Sequence, residues 1–145
     1  MGMKKKLNCI LLIDDDEPTN FLNKMTLEEA DCASHVQILQ SGMAALDYLA
    51  GRGEYKKSEG YFPHPDLIFL DINMPAMNGW EFLEKYQQLP REQKAEIIMI
   101  MLTTSLNPDD ELRTKSIPEV AGFENKPLML SRLEDILRKH FPEYV

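Results

Sequence analysis

Short apolar runs recur along this chain, each followed by a stretch with helical spacing, and that alternation restricts the fold more than any other feature. The strongest runs are LNCILLI (7–13), DLIFL (66–70) and EIIMIML (96–102), with HVQILQ (35–40) and VAGF (120–123) weaker. Ile10–Ile13 and Ile97–Leu102 are apolar at every position rather than at alternate ones. A strand of that kind needs cover on both faces, as in a parallel sheet flanked by helices. An α/β fold follows.

The intervening segments carry helix signals. Residues 18–31 place Phe21, Leu22, Met25 and Glu29 at helical spacing, with Asp16 as the cap and Pro18 in the first turn. SGMAALDYLA (41–50) opens on a capping Ser41 and sets Ala45, Leu46 and Leu49 on one side. GWEFLEKYQQL (79–89) carries Trp80, Leu83 and Tyr86 or Gln87 before Pro90 stops it. NPDDELRTKS (107–116) starts with Asn107 and Pro108. LSRLEDILRKH (130–140) has an apolar stripe of Leu130, Leu133, Ile136 and Leu137, with basic residues at its carboxyl end, where they oppose the helix dipole. GRGEYKKSEGYFPHP (51–65) is expected to be an extended surface loop and not a domain boundary.

At 145 residues, 43% hydrophobic and 28% charged, the chain is expected to form one soluble domain, spanning 4–141 and leaving no room for an output domain. The formal net charge of -8 and the lack of a basic stripe argue against direct nucleic-acid binding. Cys9 and Cys32 lack CxxC partners, and Cys9 reads as a small buried hydrophobe. His35, His64 and His140 form no ligand pattern. The basic head MGMKKK leads into an apolar stretch too short for an export signal, and no run approaches a membrane span, so a cytoplasmic location is expected.

In an open parallel sheet, functional groups gather beyond the carboxyl ends of the strands. Asp14, Asp15 and Asp16 follow the first strong run, and Asp71 follows DLIFL. Thr103 and Thr104 follow EIIMIML, and Lys126 follows the last strand. Clustered carboxylates repel one another and call for a cation, and Mg²⁺ takes one or two carboxylates together with water and phosphate oxygens. A lysine and a hydroxyl suit a phosphoryl group. Asp71, before the turn MPAMNG, is placed to become an aspartyl phosphate. Singly, each group has a plainer reading: aspartates cap helices, Lys126 is solvated, threonines finish a strand and Phe123 is core. Four motifs at four strand ends are far more specific together.

The segments LLIDDDEP, LIFLDINMPAMNGWEF, MLTTS and GFENKPL resemble, in order and over nearly the whole chain, the signatures of the response-regulator receiver domain of two-component signalling. The resemblance implies a flavodoxin-like doubly wound sheet of five parallel strands in order 2-1-3-4-5, with five helices. It implies Mg²⁺ held by Asp14, Asp15, Asp71 and the backbone carbonyl of Asn73, with Asp15 the more direct ligand of the acidic pair. Asp71 is then the phosphoacceptor, Lys126 the phosphoryl partner, and Thr103 and Phe123 the switch pair. Lys126–Pro127 is expected to be cis, while Asp16 is expected only to cap the first helix.

The implied partners are a histidine kinase or histidine phosphotransfer protein upstream and a protein target downstream, with homodimerisation left open. Such a domain catalyses its own modification but turns over no free substrate. Asn73 and Ser105 sit near positions that tune the phosphorylation lifetime, and insertions like 51–65 occur in stand-alone receivers associated with phytochrome-type kinases. One rival is a haloacid-dehalogenase-type phosphatase with Asp14 as nucleophile. Its final acidic pair should follow the lysine, whereas Asp109 and Asp110 precede Lys126. The other is a pseudo-receiver that only binds protein, which predicts losses among the ligand positions that are not seen.

Overall fold

The apolar runs pair side by side into one parallel sheet: β1 (Ile10–Ile13), β2 (Val36–Leu39), β3 (Leu67–Asp71), β4 (Ile98–Thr103) and β5 (Val120–Asn125), in the order β2-β1-β3-β4-β5. The computed structural model describes residues 3–105 and 107–145; Met1 and Gly2, which open the basic head, lie outside that set. Ile13 stands opposite both Leu39 and Leu70, so β1 and β3 end beside each other.

Successive strand residues point to opposite faces, and both faces are buried. On one side Leu11, Ile13, Ile68, Leu70, Met99 and Met101 pack with Leu46, Phe82 and Leu83 from α2 (Gly42–Ala50) and α3 (Gly79–Gln87). On the other, Ile10, Leu12, Leu67, Phe69, Ile100 and Leu102 meet Leu27 of α1 (Glu17–Ala30) and Leu133 and Leu137 of α6 (Leu130–His140). This two-sided cover is the reason the strands are continuously apolar. Each such buried side chain contributes roughly 1.5–3 kcal/mol.

Six α-helical segments, not five, occur among the described residues, including α5 (Pro108–Lys115). The addition is α4 (Arg91–Lys94), a single turn that Pro90 both separates from α3 and starts. β1 is shorter than the run at 7–13, because the Asn8 backbone N–H donates to the Asp66 carboxylate at 2.6 Å and Leu7 makes only an isolated bridge to Ala33. β5 extends past Phe123 to Asn125. The 51–65 segment holds two short 3₁₀ turns and is fastened down by its aromatics. Tyr55 and Phe62 pack against Tyr48 at ring distances of 5.4 and 5.9 Å, and the Tyr48 hydroxyl donates to the Pro63 carbonyl at 2.7 Å.

Helix α1 departs most from expectation. Phe21, Leu22 and Met25 are 65%, 48% and 51% exposed, whereas Asn20, Asn23 and Leu27 face inward. The inward face meets backbone groups of two loops, and hydrogen bonding there outweighs the burial that the apolar spacing offered.

Candidate functional site

The carboxyl ends of β1, β3 and β4 and the loop after β5 open into one cleft of about 370 Å³, lined by Asp14, Asp15, Asp16, Thr19, Asp71, Asn73, Thr104 and Lys126. Asp14 and Asp71 are 3% and 2% exposed, while Asp15 is exposed. Each of these three carboxylates offers an oxygen within 4.8 Å of the others, the only such group of metal-ligating side chains found among the described residues. Lys126 Nζ bridges the two buried ones, at 3.0 Å from Asp14 Oδ2 and 3.1 Å from Asp71 Oδ1.

Local folding places each group. Asp71 is the last residue of β3, and the chain turns away because Gly79 packs directly on it: a Cβ at residue 79 would stand 2.8 Å from the Asp71 carbonyl oxygen. Gly79 N–H donates to the Ile72 carbonyl at 2.7 Å, closing the MPAMNG turn, in which Ala76 has φ +67. Asn78 then caps α3 through a reciprocal capping box with Glu81. Asp16 caps α1 by accepting from the Thr19 backbone N–H at 3.0 Å and from the Thr19 hydroxyl, which holds its carboxyl below the usual range. The Lys126–Pro127 peptide is cis.

The electrostatics are unbalanced toward negative charge. Burial, and after it the charge of Asp14, pushes the Asp71 carboxyl from 3.8 up to about 6, against the pull of Lys126. Burial alone would lower the Lys126 ammonium, but its hydrogen bonds to Asp14 and Asp71 outweigh that and raise it. Three carboxylates facing one ammonium leave room for a divalent cation with oxygen ligands, and the donor set fits a hard ion.

The expected switch pair, Thr103 and Phe123, does not line the cleft. Thr103 is buried, its hydroxyl donating to the Ser105 carbonyl at 3.1 Å and accepting from the Ser105 N–H at 3.3 Å. Thr104, not Thr103, lines the cleft. Asn73 is exposed at the cleft wall, its N–H 3.3 Å from Asp71 Oδ1. Phe123 is half-buried against the core on the α2–α3 side. Asn20 and Asn23, which sequence reasoning passed over, sit behind the site. Their spacing of three, in register with Leu27, is the signal that would have found them.

A parallel sheet in this order, with carboxylates, a threonine and a lysine at its carboxyl edge, matches known proteins over most of its length. The family model of the response regulator receiver domain matches residues 10–138. Response regulator Rcp1 of Synechocystis is 37% identical over 101 residues, covering 70% of this chain and 65% of that protein. Among solved structures, a two-component response regulator from Cytophaga hutchinsonii is 31% identical with a TM-score of 0.80, covering 95% of this chain and 99% of that one. The Mn²⁺-bound form of Rcp1 (31% identity, TM-score 0.69, 91% and 90% covered) is a further neighbour. So is the phosphorylated cyanobacterial phytochrome response regulator RcpA (30%, 0.70, 91% and 89%).

The chain belongs to the response regulator receiver domain family. Its role is that of a phosphoacceptor module in signal transduction. No helix among the described residues is long and apolar enough to cross a membrane.

Proposed function

We propose that Asp71 accepts a phosphoryl group from a histidine kinase or a histidine phosphotransfer protein. The observation that carries this is a buried strand-end carboxylate, held by Lys126 and sharing its cleft with Asp14 and Asp15. An Asp71 oxygen attacks the phosphorus of a phosphohistidine; the P–O bond forms as the P–N bond breaks, and the leaving imidazole takes a proton from solvent. The Asp71 carboxyl, held near 6, is ionised at neutral pH and is therefore nucleophilic.

Lys126 then turns from its two carboxylates to a phosphoryl oxygen. Asp14, Asp15, Asp71 and the Asn73 carbonyl would hold Mg²⁺, which supplies charge neutralisation for the phosphoryl oxygens. This ligand assignment is supported by the convergence of the three carboxylates and by the Mn²⁺-bound relative. Thr103 gives up its bond to the Ser105 carbonyl to donate to the phosphoryl group, and Phe123 moves with it, shifting the surface around α5 and β5. Water later removes the phosphate from Asp71, so the unit spanning 4–141 modifies itself and processes no free substrate.

The exposed Phe21, Leu22 and Met25 on α1 and Met129 after Lys126 offer apolar surface for the donor protein. The downstream partner is a protein, reached in the cytoplasm through the α5–β5 surface. Incubation with acetyl phosphate and Mg²⁺ tests the reading: the wild-type chain gains one phosphoryl group, read by intact mass. Asp71→Asn gains none. Stoichiometric labelling of that variant would refute the assignment.

A further inference from the structure

The inward face of α1 carries a polar stripe, Asn20, Asn23 and Thr26, at intervals of three residues. Asn20, 3% exposed, donates from Nδ2 to the Asp14 carbonyl oxygen at 2.8 Å, and its Oδ1 has no partner. Asn23 is also buried, and its Oδ1 accepts the Leu128 N–H at 2.8 Å. Thr26 Oγ1 lies 3.0 Å from the Leu128 carbonyl oxygen and 3.2 Å from that of Leu22.

Leu128 follows the Lys126–Pro127 peptide, so this one helix grips the backbone on both sides of the Lys126–Asp14 ion pair. The acidic turn is further drawn in by the Asp16 N–H, which donates to Asp14 Oδ1 at 2.9 Å. Buried amides are costly unless they bond, and apolar side chains were at hand in the same helix: Phe21, Leu22 and Met25 stand outside while the amides stand inside. Packing alone favours the opposite arrangement.

We infer that Asn20, Asn23 and Thr26 are positioning residues for phosphoryl transfer: Asn20 sets the acidic turn that gathers the metal ligands, and Asn23 with Thr26 sets the reach of Lys126. This rests on the reading of Asp71 as phosphoacceptor and adds a division of labour to it. Groups that orient metal ligands from behind tune affinity, and groups that orient a phosphoryl-binding lysine tune the chemical step. A helix staple with no role in the reaction would move neither selectively.

The test uses the full chain with Asn20→Ala, Asn23→Ala and Thr26→Val, and reads three quantities. These are the Kd for Mg²⁺, the rate of acetyl phosphate labelling at saturating Mg²⁺, and the thermal midpoint. Asn20→Ala is expected to raise the Mg²⁺ Kd about tenfold while the saturated rate stays within about twofold. Asn23→Ala is expected to leave the Kd within about twofold and to slow the saturated rate about tenfold, with Thr26→Val slowing it about threefold.

Loss of thermal stability with both constants unchanged, or equal changes in both constants across all three variants, would overturn the inference. Thr26→Val is isosteric at a partly buried site and therefore reports even where the asparagine variants unfold; a wild-type saturated rate in it also overturns the inference. Wild-type protein that binds no Mg²⁺ or takes no label at Asp71 overturns the underlying reading instead.

Discussion

Replacing Asp71 by asparagine should make the metal-free protein more stable at neutral pH, at the residue proposed above as the phosphoacceptor. The folded state holds two buried carboxylates, Asp14 and Asp71, against the single ammonium of Lys126. Burial and then the Asp14 charge hold the Asp71 carboxyl at about 6 instead of 3.8. Below pH 3.8 folded and unfolded chains are both protonated at this residue. Between there and about 6 the folded chain keeps a proton that the unfolded chain has lost. The contribution is thus fully favourable at low pH and is lost as pH rises through the folded value.

At about 1.4 kcal/mol per pH unit, the cost of ionised Asp71 reaches about 3 kcal/mol at pH 7.5 and only about 1 kcal/mol at pH 4.5. Asparagine is nearly isosteric, removes the charge, and retains an oxygen for Lys126 and the Asn73 N–H. In chelator at pH 7.5, Asp71→Asn should therefore gain about 2–3 kcal/mol in urea unfolding, or roughly 10 °C in thermal midpoint. The gain should shrink at pH 4.5. On the proposed ligand set, Mg²⁺ at a hundred times its Kd should restore about 2.7 kcal/mol to the wild type, and less to the variant, which has one proposed ligand fewer. A variant no more stable than wild type at pH 7.5 in chelator would refute the reasoning. So would an advantage that does not fall with pH.

Two further outcomes follow from the geometry. Gly79→Ala places a Cβ 2.8 Å from the Asp71 carbonyl oxygen and 3.0 Å from Ile72 Cα, both backbone atoms; it should cost about 1–3 kcal/mol in urea unfolding and slow Asp71 labelling, and a neutral result would show the turn to be free to move. Trp80, the chain's single tryptophan, lies under the Arg113 guanidinium at 4.3 Å, so beryllium fluoride with Mg²⁺ should change its fluorescence if α5 shifts, and Arg113→Ala should abolish most of that change; an identical response in the variant would place the signal elsewhere.

Much of the site was readable along the chain because strand ends are local features. Asp14, Asp71 and Lys126 each follow an apolar run, and the topology of a parallel sheet carries such positions to one edge. The capping role of Asp16 was equally local, needing only the Thr19 N–H three residues on. The inward face of α1 was not readable from apolar spacing. Phe21, Leu22 and Met25 follow the rule for a packed stripe, yet the groups opposite α1 are the carbonyl of Asp14 and the backbone of Leu128, which select amides. α4 escaped for a related reason: one turn is too short for any periodicity to declare it.

By itself, then, the sequence determined the number of strands, the two-sided cover of the sheet and the kinds of group standing at its carboxyl edge. These depend on side-chain period and on neighbours a few residues away. The tertiary structure alone decided which of those groups meet. Lys126 reaches Asp14 across 112 residues and Asp71 across 55, Thr104 rather than Thr103 lines the cleft, and α1 turns its amides inward. Strand register and the backbone groups exposed at loops set those contacts, and neither leaves a periodic trace in the chain.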